Sequence, residues 1–194
     1  MFNKFGRRDS KGFGRKPLSN NSYVNTVVRN IRECGQHVCG VRDPNNVDPL
    51  FFYTIGNSFS SEPPVEFFCF WKSDLGGVIL NMVSYQMNRC PEFQDSVLSN
   101  EISYHWGFLG LDEETPIALR VMSGFLEDVV RDKYVCQLGK EEFSSFVRPH
   151  KLIQIVLPDF DKHFPGDPCF DEDLLDTIPE YLHLPYDSEV YSVS

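Results

Sequence analysis

The sequence predicts an α+β fold: one domain in which a mostly antiparallel or mixed sheet of five to seven strands carries two main helices packed on it. Three observations predict it. Short runs rich in aromatic and β-branched residues, at 50–55, 65–71 and 151–157, outnumber the segments with helical periodicity. Two longer segments, 22–34 and about 74–89, do carry that periodicity. A length of 194 residues, 41% of them hydrophobic, suffices for one core without disulfide or metal staples.

The net charge of −10 conceals a division. Between residues 1 and 22, Lys4, Arg7, Arg8, Lys11, Arg15 and Lys16 face the single acid Asp9, which leaves +5 there and −15 on the rest. Residues 1–21 therefore read as a basic flexible arm, 22–183 as the domain and 184–194 as an acidic tail. An acidic body repels nucleic acid, so a nucleic-acid partner is expected only through the arm. No run of roughly eighteen apolar residues exists, so no membrane contact is expected, and the N-terminus lacks the apolar core of a signal peptide. Six scattered cysteines (Cys34, Cys39, Cys69, Cys90, Cys136, Cys169) fit unpaired thiols in a reducing, cytoplasmic setting.

Taken in order, the elements justify the class. Val24, Val27, Val28 and Ile31 recur at i, i+3, i+4 and i+7 and predict a helix over 22–34, capped by Asn20, Asn21 or Ser22 and closed by Gly35. Residues 36–41 follow as a strand and 42–48, with Pro44 and two asparagines, as a turn. The run 50–55 is a second strand, broken by Gly56-Asn57-Ser58, where glycine permits a sharp turn or a close approach to a ligand. A third strand, 65–71, contains one carboxylate, Glu66, which needs a partner or a raised pKa if it is buried. From Ser73 or Asp74 to about Arg89 a second helix is expected, with Val78, Ile79, Met82, Val83, Tyr85, Gln86 and Met87 on or near its inner face. Cys90-Pro91 ends it.

Residues 102–111, containing His105-Trp106, read as a strand or loop, 112–114 as an acidic turn and 117–122 as a strand. The segment 125–136 reads as a further strand or part of a meander, and 141–146 as a short helix. The run 151–157 is a strand buried on both faces, stopped by Pro158, with the amide of Gln154 set into it. Leu174, Leu175 and Ile178 have helical spacing among acids and predict a docked turn over 172–178.

Ligand-handling groups gather on loops held by stiff elements. The loop after Pro158 is of that kind, with Asp159, Asp161, His163, Pro165 and Pro168 in succession. Adjacent strands would bring these groups to one rim with those of the second and third strands. Thr54, Gly56, Asn57, Ser58, Gln154 and Asp161 are the candidate ligand-binding residues. Asp159, His163 and Glu66 are the candidate catalytic ones, because a carboxylate orienting a histidine is the smallest acid/base pair. An architectural reading stands beside it: Gln154 satisfies a neighbouring loop and Asp159 closes an Asx-turn. The chain has no nucleophile elbow, phosphate loop, His-Glu-x-x-His helix or paired Cys-x-x-Cys. Asp159-x-Asp161-x-His163 has the spacing of alternate ligands, but the calcium-loop pattern fails at Phe164 and Phe170, so no metal and no cofactor are expected.

The order of helix, Gly35, strand, Phe52-Tyr53-Thr54-Ile55-Gly56, Pro64-Val65-Glu66-Phe67, helix, then Gln154-Ile155-Val156-Leu157-Pro158-Asp159 with Phe164-Pro165, resembles the domain of unknown function 4262 family over about residues 22–172. Pro64-Val65 stands where the family has His-Pro, and Gly166 where it has Trp after Phe-Pro, so no role of that histidine carries over. The resemblance implies a bacterial or phage protein, in the host cytoplasm if phage-encoded, and implies no reaction. The leading reading is a binding or interaction protein with a small polar ligand at the strand ends and a protein partner. One alternative is a small hydrolase or transferase using Asp159 or Glu66 with His163. Another is a phage structural or host-takeover factor whose arm binds an anionic partner.

Overall fold

The computed structural model describes residues 22–42, 49–71, 73, 75–108, 115–175 and 178–185; the basic arm and residues 186–194 of the acidic tail lie outside the described residues. Six strands form one mixed sheet: β1 (His37–Arg42), β2 (Pro49–Ile55), β3 (Val65–Phe70), β4 (Ile102–Trp106), β5 (Pro116–Val121) and β6 (Lys151–Val156), in the order β1-β2-β3-β6-β5-β4. Every neighbouring pair is antiparallel except β3 with β6. Those two central strands are buried almost throughout, which suits their near-continuous apolar sequences.

Helices cover both faces. α1 (Ser22–Cys34) forms as its valine stripe predicts: Val24, Val27, Val28 and Ile31 are all buried, and Gly35, at φ +89°, closes it by donating its amide to the Ile31 carbonyl. With α5 (Gly124–Lys133) it covers one face, where Tyr53, Phe68, Phe70 and Leu152 pack with Val27, Ile31 and Val130. α3 (Leu75–Met87) and α4 (Pro91–Ser99) cover the other, packing Leu80, Val83 and Phe93 against Phe52, Phe67, Ile153 and Ile155. Side chains alternate along a strand, so Glu66 and Gln154 share the α1 face with Phe68 and Leu152.

Several expectations need correction. Residues 125–136 are not a strand: Leu126 and Val130 lie four apart, Glu127 and Arg131 form an i,i+4 ion pair, and a 3.6-residue period satisfies both. Pro91 does more than end α3; it occupies the first turn of α4, where its missing N–H costs nothing. In α3 the buried residues are Gly76, Leu80, Val83, Ser84 and Met87, whereas Val78, Met82 and Tyr85 are exposed. The cause is Gly76, which lies so close to Phe52 that a Cβ there would stand 2.3 Å from the ring. That close approach turns the glycine side of the helix inward, and Ser84 follows it to donate to Gln36 at 2.7 Å. Residues 141–146 form only a 3-10 turn, Glu141–Phe143, and β6 stops at Val156. The short helices α2 (Asn57–Ser60) and α6 (Glu172–Leu175) complete the α-helices of the described residues. All six cysteines are free; Cys39 and Cys69 are buried, while Cys34, Cys136 and Cys169 are exposed. Among the described residues no helix is long and apolar enough to cross a membrane.

Candidate functional site

Glu66 enters the core at the second position of β3 and has no exposed surface. Donors from three residues meet its carboxylate. Thr54 donates its hydroxyl to Oε2 at 2.6 Å, and the backbone amides of Gly56 and Ser58 both donate to Oε1 at 2.9 Å. Thr54 also accepts the amide of Phe67 at 2.9 Å, so its side chain bridges β2 and β3 just beyond the last ladder pair, Tyr53 with Phe68. Gly56 sits at φ +91°, and a Cβ there would stand 2.7 Å from Ile31 of α1. Only glycine lets the chain turn there and deliver both amides to Glu66. Burial raises the Glu66 pKa to about 7, with the hydrogen bonds of Thr54, Ser58 and Gly56 opposing that rise. Asn57 closes the turn by donating to the Val65 carbonyl at 2.8 Å.

Thr54, Gly56, Asn57, Ser58 and Glu66 therefore gather in one place, as the sequence suggested, but Gln154, Asp159, Asp161 and His163 do not join them. The reason is the parallel pairing of β3 and β6. Glu66 lies beside Leu152 near the start of β6, while Asp159 lies beyond its C-terminal end, so the two carboxylates occupy opposite ends of the sheet. Gln154 donates its amide to the Leu182 carbonyl at 3.0 Å and so ties the C-terminal turn Glu180–Leu182 to the sheet, with its Oε1 buried and unbonded. Asp159 is buried and holds its own loop: Oδ1 accepts the amides of Asp161 at 2.9 Å and His163 at 2.8 Å, and Oδ2 accepts that of Asp171 at 2.9 Å. His163 Nδ1 stands 3.6 Å from Asp159 Oδ2, outside hydrogen-bond reach. Asp161 is exposed, and its described bond is made by its backbone.

The Glu66 cluster is sealed, yet it supports an open cleft. Ser58 accepts the Arg148 guanidinium Nε at its carbonyl, 2.8 Å away, and Ser61 accepts Nη2. Arg148 lines a cleft of about 500 Å³ together with Arg131, Lys140, Ser144, Val147 and His150. Glu127 accepts Nε and Nη2 of Arg131, whose Nη1 lies 2.9 Å from His150 Nε2. His150 Nδ1 lies 2.7 Å from the Arg148 carbonyl, which can only accept, so Nδ1 carries the proton and Nε2 accepts from Arg131. Burial lowers the His150 pKa, and the Arg131 charge acts in the same direction. Lys140 is exposed and has no ion pair among the described residues. Sequence reading missed this cleft, because its walls come from a helix, a 3-10 turn and a linker; the available signal was the basic run Arg148-Pro149-His150-Lys151 within an acidic body. Compared with protein-family models, with curated proteins and with solved structures, the chain finds no match.

Proposed function

We propose that this chain is a non-enzymatic binding protein of bacterial or phage type whose cleft takes a small polar anion, a phosphate ester or a dicarboxylate. One observation carries the reading: on a body of net charge −15, Arg131, Lys140 and Arg148 line a single open cleft of about 500 Å³. Glu127 and His150 hold the Arg131 guanidinium, and Ser58, Ser61 and Glu62 hold that of Arg148, so the two arginines form a fixed polar wall and Lys140 supplies the point charge for the anion. The buried Glu66 acts beneath the ligand rather than on it: it fixes the Ser58 turn, and Ser58 anchors Arg148. Full burial of Glu66 and its distance from His163 at the other end of the sheet weigh against an acid/base enzyme.

The test is thermal melting of the full chain with inorganic phosphate, glycerol phosphate and succinate. A ligand at about a hundred times its Kd adds about 2.7 kcal/mol, or about 5–10 °C for a chain of this size. The shift is expected to shrink in salt and to be lost in Lys140→Glu. Melting curves unmoved by every one of these anions would rule the reading out.

A further inference from the structure

Away from the cleft, three metal-ligating side chains of different chemistry converge. A ring nitrogen of His163, a carboxylate oxygen of Asp167 and Sγ of Cys169 all lie within 4.8 Å of one another. They come from seven consecutive residues held in a closed loop. Asp159 grips the start of that loop through the amides of Asp161 and His163, and Asp167 Oδ1 accepts the amide of Cys169 at 2.7 Å. Gly166, at φ +112°, presses against the chain at Leu184, where a Cβ would stand 2.0 Å from the carbonyl oxygen, and the Leu184 amide donates back to Pro165 at 2.8 Å. The backbone under the three side chains is thus already fixed in the folded protein.

We propose that His163, Asp167 and Cys169 form a binding site for one divalent transition-metal ion, zinc by the chemistry of the donors. Thiolate and imidazole favour zinc over magnesium or calcium, and three protein ligands leave a fourth tetrahedral position open to water. Zinc–ligand bonds of about 2.0–2.3 Å set neighbouring ligand atoms about 3–4 Å apart, so closure needs roughly an ångström of side-chain movement. Cys169 is exposed and Asp167 half-buried, so both have room for it. A metal on Nε2 of His163 leaves Nδ1–H directed at Asp159 Oδ2, now 3.6 Å away, the outer carboxylate that commonly orients a zinc-bound histidine. Asp159 itself does not ligate, since three backbone amides already occupy its oxygens. Binding converts the Cys169 thiol to thiolate and releases its proton to solvent.

Cobalt(II) titration of the full chain tests this. One equivalent should produce thiolate-to-cobalt charge-transfer absorption, which zinc(II) then displaces. Cys169→Ser and His163→Ala should abolish the band and weaken zinc at least about tenfold in competition with a chromophoric chelator. Asp167→Asn keeps the acceptor for the Cys169 amide, so it should weaken zinc without disturbing the loop, with circular dichroism as the check on folding. Cys34→Ser and Cys136→Ser, which remove exposed thiols elsewhere, should change nothing. Absence of a thiolate band, or a band that survives Cys169→Ser, overturns the proposal.

Discussion

Burial and hydrogen bonding pull the proton of Glu66 in opposite directions. Removal from water favours the neutral acid, while the Thr54 hydroxyl and two backbone amides favour the anion; burial wins and the pKa rises to about 7. Between about pH 4.5 and 7 the native state therefore binds more protons at this site than the unfolded chain does. The stability from Glu66 is complete at low pH and is lost as pH rises through that window, by about 3 kcal/mol in total. Glu66→Gln stays neutral throughout. Its carbonyl still accepts the amides of Gly56 and Ser58, and Thr54 can turn its hydroxyl to the Phe67 carbonyl, 3.5 Å away. Melting temperatures of the variant should rise relative to the natural chain as pH goes from 5 to 8, and parallel pH profiles would refute the assignment. The partners of Glu66 were legible in the sequence because the chain places Thr54, Gly56, Ser58 and Glu66 within thirteen residues, on either side of one connection between antiparallel strands.

Helices differ in how much of their placement a sequence encodes. The four apolar residues of α1 draw a single stripe, and that stripe is what the sheet buries. α3 is apolar on most sides, with Leu75, Val78, Leu80, Met82 and Val83 all suited to a core, so its pattern alone selects no inner face. Gly76 makes the selection by admitting Phe52 against the helix backbone. The result is testable by paired substitutions. Leu80, fully buried, should lose about 2–5 kcal/mol on change to alanine, whereas Val78, 51% exposed, should stay within about 0.5 kcal/mol on the same change. Urea denaturation midpoints measure both, and equal losses would contradict this orientation of the helix. α5 carries a different lesson: its length and its β-branched Val129 and Val130 allow a strand, but its Glu127–Arg131 pair and the Leu126/Val130 spacing make sense only on a helix.

Across the described chain, burial, partial or complete, shifts several titratable groups with opposite consequences. Burial lowers the pKa of His37, His105 and His150, so below the ordinary histidine value of about 6.5 the unfolded chain takes up protons that the folded chain refuses. Stability then falls as pH drops. Glu66 contributes the reverse slope, falling as pH rises towards 7. The histidine slope and the Glu66 slope therefore oppose each other, and replacing His37, His105 and His150 by glutamine should leave the Glu66 slope unopposed, with stability falling more steeply as pH rises. Melting temperature recorded from pH 4.5 to 8.5 checks this, and a variant profile parallel to that of the natural chain would contradict it. The sequence by itself determined the α+β class, the valine face of α1, the strands β1, β2, β3, β5 and β6 and the carboxylate that needed partners, because periodicity, turn residues and burial preference act within a few residues. Only the tertiary structure decided which strand ends meet. β3 and β6 are about eighty residues apart, and the intervening crossover makes them parallel, which sends Glu66 and Asp159 to opposite ends of the sheet and assembles the basic cleft from segments with no shared periodicity.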